Sequence, residues 1–241
     1  MPLELGPLDL AIVLAATVAG ACLQGSIGFG LGLVCAPVLA LVEPRFVPGP
    51  LIAVSVLLTV GILHRERRDL HFGVVRWAML GRIPGSAAGA AALAVVSERA
   101  LGLLFGSLVL LAVALSLVGQ SVAPTARTLL GAGVLSGFMG TAVSVGGPPL
   151  ALVYQRQRGP ELRATMAAFM VFGALVSLTM LSVFGRFGRT ELSLAALLVP
   201  GVVLGFAASR VLSARLDRGW TRPAVLAFSA ASALVLVFDS L

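Results

Sequence analysis

Gly20-Ala-Cys-Leu-Gln-Gly-Ser-Ile-Gly-Phe-Gly-Leu-Gly-Leu-Val-Cys-Ala-Pro37 is apolar enough to lie in a bilayer, yet it carries Gly20, Gly25, Gly28, Gly30 and Gly32. Glycine reaches φ > 0 without steric cost and weakens a helix by about 1 kcal/mol relative to alanine. The run therefore predicts a break in a helix at membrane depth. A second copy follows 112 positions later, Gly133-Val-Leu-Ser-Gly-Phe-Met-Gly-Thr-Ala-Val-Ser-Val-Gly-Gly-Pro-Pro149. At that offset Gly25 aligns with Gly137, Gly28 with Gly140 and Pro37 with Pro149.

The surrounding chain is a membrane protein by composition. It is 59% hydrophobic and 11% charged, where a soluble domain carries about 25% charged residues. The net charge of +7 comes entirely from arginine. These arginines lie mostly in short loops between apolar runs, where they read as topology signals rather than a nucleic-acid surface. The two cysteines, Cys22 and Cys35, fall in apolar sequence and read as small packing residues, not a disulfide scaffold or metal pattern. The N-terminus has no basic segment before its apolar run, so residues 8–23 are expected to stay in the membrane.

Along the chain, residues 1–118 form a first repeat: a hairpin over 8–42, then spans 50–63, 73–95 and 99–118. A linker covers 119–127. Residues 128–241 repeat the order, with a hairpin over 128–155 and spans 164–184, 192–212 and 222–238. Pro48 aligns with Pro160 at the offset of 112, and Pro84-Gly85 with Gly89 aligns with Pro200-Gly201 with Gly205 at an offset of 116. Those Gly-x-x-x-Gly pairs suit close helix packing. Broken segments at matching places in two halves point to a transporter's binding site.

Runs 31–42 and 148–155 are too short to span a core of about 30 Å at about 1.5 Å per residue. If each broken stretch returns to the face it entered, three full spans remain per half and the halves are inverted. One face then collects Arg65, Arg67, Arg68, Arg76, Arg127, Arg156, Arg158, Arg163, Arg210, Arg215, Arg218 and Arg222, against Arg45, Arg99, Arg186 and Arg189 on the other. The positive-inside rule makes the richer face cytoplasmic and puts both termini outside. The fold expected is an all-α polytopic membrane protein, an inverted repeat of hairpin plus three spans, in the inner cell membrane.

Helix starts after Gly32 and Gly147 would aim N–H groups and partial positive charge inward, which suits an anion. The candidate binding residues are Gln24, Gly25, Ser26, Gly28, Gly30, Arg82, Gly140, Thr141, Ser144, Gly146 and Gly147. The hydroxyls serve equally well as partners for the broken helices' own backbone. Arg82 lies about ten residues into its span, where a charge is costly and marks function by default, unless its long stem snorkels to the interface. Its aligned position, Leu198, is apolar. Arg163 reads as an interface anchor, and Tyr154, the one tyrosine, as an interfacial belt residue.

No nucleophile–base set, zinc pattern or phosphate loop is present, and Gly28-Phe-Gly-Leu-Gly lacks the context of a nucleotide site. No carboxylate lies mid-span, so a protein-based proton relay is not visible. No enzyme activity, cofactor or metal is expected. The expected partners are a small anion and the lipid bilayer, with a homo-oligomer compatible; nucleic acid is not.

The run Gly25-Ser-Ile-Gly-Phe-Gly-Leu-Gly to Pro37, its copy Gly137 to Pro149, and the Arg-Arg-Asp-Leu-His loop before a Pro-Gly-x-x-x-Gly span resemble the TauE/SafE sulfite exporter family, also called the 4-toluene sulfonate uptake permease family. The resemblance covers nearly the whole chain. It implies an inner-membrane transporter of sulfite, sulfoacetate or other organosulfonates. In the second copy Thr141, Ala142 and Ser144 stand where the family pattern has more glycine. The competing class is a membrane scaffold or subunit whose glycines serve packing alone.

Overall fold

The computed structural model describes residues 5–69, 72–95, 98–117, 122–154 and 159–216, and residues 230–231, 234–235 and 237–238 further on. Most of the expected span 222–238 lies outside the described residues, as do His71, linker residues 119–121, and Arg156, Arg158, Arg218 and Arg222. Described elements are helical: α1 (Pro7–Ile27), α2 (Leu31–Val42), α3 (Gly49–Glu66), α4 (Phe72–Val95), α5 (Glu98–Leu117), α6 (Ala126–Val143), α7 (Pro148–Val153), α8 (Gly159–Val183) and α9 (Arg189–Leu216). Six stretches, in α1, α3, α4, α6, α8 and α9, are long and apolar enough to cross a membrane. Their outer surfaces are apolar, with Leu57, Leu80, Leu175, Val203 and Leu204 all more than half exposed, as lipid contact requires. The protein is a polytopic all-α membrane protein.

The break in the first hairpin is narrower than the sequence suggests. Gly20 and Gly25 lie inside α1, which runs on to Ile27 rather than ending near residue 23. Gly28 closes the helix in the left-handed region, φ 96°, and its N–H reaches the Gln24 carbonyl at 2.8 Å, a common glycine stop. Gly30, φ 135°, then precedes α2. So α2 begins at Leu31, one residue before Gly32 instead of after it. In the second copy Gly133, Gly137 and Gly140 are likewise helical, and α6 extends to Val143. Ser144, φ 61°, takes the left-handed stop there.

These in-helix glycines allow backbones to approach closely, the use small residues have in membranes. Added Cβ atoms on Gly81 and Gly85 of α4 would meet the Leu130 and Val134 carbonyls of α6, and those on Gly133 and Gly137 would meet Ala78 and Arg82 carbonyls in return. On the other side of the molecule, Gly201 and Gly205 of α9 face Thr17 and Val18 of α1. Thus the first hairpin helix of each half packs on the Pro-Gly-x-x-x-Gly helix of the other half.

The C-terminal ends of the two hairpin helices meet opposite ends of α3. The α1 terminus meets Arg65 at the C-terminal end of α3, where the guanidinium donates to the Gly25 carbonyl. The α6 terminus meets the other end of α3, where Ser144 Oγ donates to the Pro48 carbonyl at 3.0 Å.

Candidate substrate site

The two breaks meet inside the helix bundle. Gly32 sits against the Ser144 carbonyl and Gly147 against Phe29. Between them opens a small cleft. Of the residues singled out from the sequence, Gln24, Gly30, Arg82, Gly140, Ser144, Gly146 and Gly147 line it, as do Gly32, Leu33, Ser55 and Met170. Gly25, Ser26, Gly28 and Thr141 do not.

Arg82 is held in the interior and does not snorkel: it is 3% exposed. Nη1 donates to Ser136 Oγ at 2.8 Å, and Ser136 in turn donates to the Gly146 carbonyl. The guanidinium lies 4.8 Å from the Phe169 ring centroid, within cation–π range. Three glycines surround it. A Cβ on Gly140 or Gly146 would press on its terminal nitrogens, and one on Gly173 would overlap Nε and Cζ. Nε is buried with no hydrogen-bond partner, and among the described residues no carboxylate pairs with Arg82. A buried cation in this state is costly unless an anion joins it. Ser136, Phe169 and Gly173 are not among the candidates that the sequence singles out. Ser136 stood inside the quoted repeat, one place before Gly137, and an embedded hydroxyl there was the available signal.

The helix starts differ in what they offer. At α2 the Leu31 N–H is taken by Gln24 Oε1 at 3.0 Å and the Val34 N–H by the Gly30 carbonyl. That leaves the N–H groups of Gly32 and Leu33 without an acceptor in the helix. At α7 the expected N–H cradle is reduced to the Gly147 and Leu150 groups. Pro148 and Pro149 open that six-residue helix, and proline has no N–H. Both breaks therefore supply backbone donors, and the second also supplies the glycine slot around Arg82.

The remaining candidates hold structure. Ser26 Oγ donates to the Cys22 carbonyl at 2.8 Å within its own helix. Thr141 Oγ1 and Ser177 Oγ share a hydrogen bond of 2.7 Å between α6 and α8. Gly25 packs on Ser209 and Gly28 on Arg163. Arg163 pairs with Glu66 Oε1 at 2.9 Å, and the same oxygen accepts from Arg65 Nε at 3.0 Å. So Arg163 locks the first hairpin's tip rather than merely anchoring at an interface. Tyr154 is also not an interfacial residue: it is 4% exposed, and its hydroxyl has no partner. Cys22 and Cys35 are free and buried, and Cys35 Sγ reaches the Ala16 carbonyl at 3.2 Å to join the hairpin arms. Among the described residues no cluster of side chains fits a metal.

Compared with known families, the chain matches the model described as Sulfite exporter TauE/SafE over residues 12–236. Comparison with curated proteins and with solved structures gives no match.

Proposed function

The chain belongs to the sulfite exporter TauE/SafE family, and from that membership we propose a secondary transporter that moves small sulfur oxyanions and organosulfonates across the cytoplasmic membrane by alternating access. The halves act as an inverted repeat, with the arginine-rich face inside and both termini outside. The anion sits between the α2 start and the Arg82 guanidinium, where the two broken hairpins meet.

The observation that carries this reading is Arg82: a guanidinium shut inside a membrane helix bundle, at the wall of a cleft, with Nε unpartnered and, among the described residues, no carboxylate paired with it. An intramembrane charge persists where function requires it. A guanidinium suits a sulfonate or sulfite because it offers several donors in a fixed plane to several oxygens. Most of the in-helix glycines do serve packing, as a scaffold reading would have it. Gly140, Gly146 and Gly173 instead surround the charged group, which packing alone does not call for.

Flux in proteoliposomes tests the proposal. Vesicles holding the purified protein should take up labelled sulfite or methanesulfonate faster than empty vesicles, with saturation. Equal rates in protein-containing and empty vesicles, from protein shown to be folded, would rule it out.

A further inference from the structure

We propose that the cleft selects by charge, accepting one negative charge and rejecting two. This rests on reading the cleft as the substrate site, and it narrows the substrate class to monoanions.

Among the described residues lining the cleft, Arg82 is the one charged side chain. The other cations close to the breaks, Arg65 and Arg163, lie outside the lining and are committed to Glu66 and to the Gly25 and Ser26 carbonyls. Helix ends change the balance little. The α2 start at Gly30 to Leu33 and the α7 start at Gly147 each bring up to roughly half a positive charge, and the last turns of α1 at Gln24 and of α6 at Ser144 each up to roughly half a negative one. Ends of both signs border the cleft, so their contributions largely cancel. The fixed charge of the site is therefore that of one guanidinium.

The rest of the lining is uncharged, with Leu31, Leu51, Ile52, Val145 and Met170 beside the polar Gln24, Ser55 and Ser144, so it can donate hydrogen bonds but offers no second counter-charge. In such surroundings an ion is tolerated when it is paired and costly when it is not. A bisulfite or alkanesulfonate monoanion neutralises Arg82. A sulfite dianion, a sulfate or a sulfoacetate neutralises it and leaves a second negative charge without a partner. A neutral solute leaves Arg82 as it stands, with Nε unmet.

Isethionate and sulfoacetate separate charge from size, since both are two-carbon sulfonates and only the second carries an added carboxylate. Calorimetric binding to the purified full chain at neutral pH should favour isethionate at least tenfold. Bisulfite should likewise bind better on the acid side of neutrality than sulfite does on the alkaline side. Ser55→Lys, which adds a cation to the cleft wall, should shift the ratio toward sulfoacetate. Equal or tighter binding of sulfoacetate to the native chain, or an unchanged ratio in folded Ser55→Lys, would overturn the charge rule alone. If isethionate, sulfoacetate and bisulfite all fail to bind, the substrate-site reading falls and the charge rule with it.

Discussion

Arg82 donates to Ser136 across the α4–α6 crossing at 2.8 Å, and that contact orients a cation which has no counter-charge among the described residues. The crossing is close because glycines line it on both helices, Gly81 and Gly85 on one and Gly133 and Gly137 on the other. Packing and charge placement thus share the same few turns of helix. The close approach that builds the bundle is also what puts the guanidinium beside the second break.

Gly173 should be the tightest constraint on that cation. A methyl group there overlaps Arg82 Nε and Cζ, so Gly173→Ala is expected to destabilise the protein by about 1–3 kcal/mol, the usual range for overpacking. Combining it with Arg82→Ala removes the clash. The double variant should recover part of the loss, with a coupling of about 0.5–3 kcal/mol. Unfolding midpoints of the two single variants and the double variant in detergent measure it, and strict additivity would contradict the contact.

Glu66 should control the first hairpin's tip. Its carboxylate holds Arg65 and Arg163 together, and those residues reach the Gly25 and Ser26 carbonyls at the end of α1. Glu66→Gln keeps the shape and removes the charge, with an expected loss of about 1.5–3 kcal/mol, as for hydrogen bonds to charged groups. Hydrogen exchange should quicken at residues 25–30 before it changes in α4 or α6. Uniform exchange across the protein would argue against a local lock.

The loop after α2 should give a small acid-side loss of stability. Hydrogen bonds from the Arg45 side chain, and then its backbone N–H, hold the Glu43 carboxyl below the ordinary glutamate value. A depressed folded-state pKa means the stabilisation is full above the unfolded value of 4.5 and fades as pH falls through the folded one. The pair is partly exposed, so the effect should shrink in high salt. Comparing native protein with Glu43→Gln across that acid range checks this. The variant should lack the loss, and a loss that grows with salt would refute it.

The sequence showed that two apolar helices break and that their breaks correspond. It did not show which glycines break them. Gly28 and Gly30 adopt positive φ, whereas Gly20, Gly25, Gly133 and Gly137 lie in continuous helix. In composition the two kinds look alike. Four-residue spacing marks some of the helical ones, Gly133 and Gly137 or Gly81, Gly85 and Gly89, because it places small residues on one face of a helix. But Gly20 and Gly25 are five apart and Gly28 and Gly32 are four apart, so spacing does not tell the two kinds apart in the first copy. Arg82 was legible because a mid-span charge stands out by itself. Its partner Ser136 lies 54 positions away, and Gly173 is farther still, so only the folded crossing reveals the slot. The α7 start offers fewer N–H groups than a helix end usually does, because Pro148 and Pro149 fill its first two positions.

The most direct test of the buried Arg82 as the substrate's counter-charge is sulfite or methanesulfonate uptake by proteoliposomes carrying Arg82→Met beside the native chain. Methionine fills similar space without charge, and removing a lone buried charge should leave unfolding stability equal or raised by about 1–4 kcal/mol. The account predicts a folded variant whose saturable uptake falls at least tenfold. Native-rate uptake by folded Arg82→Met would contradict it.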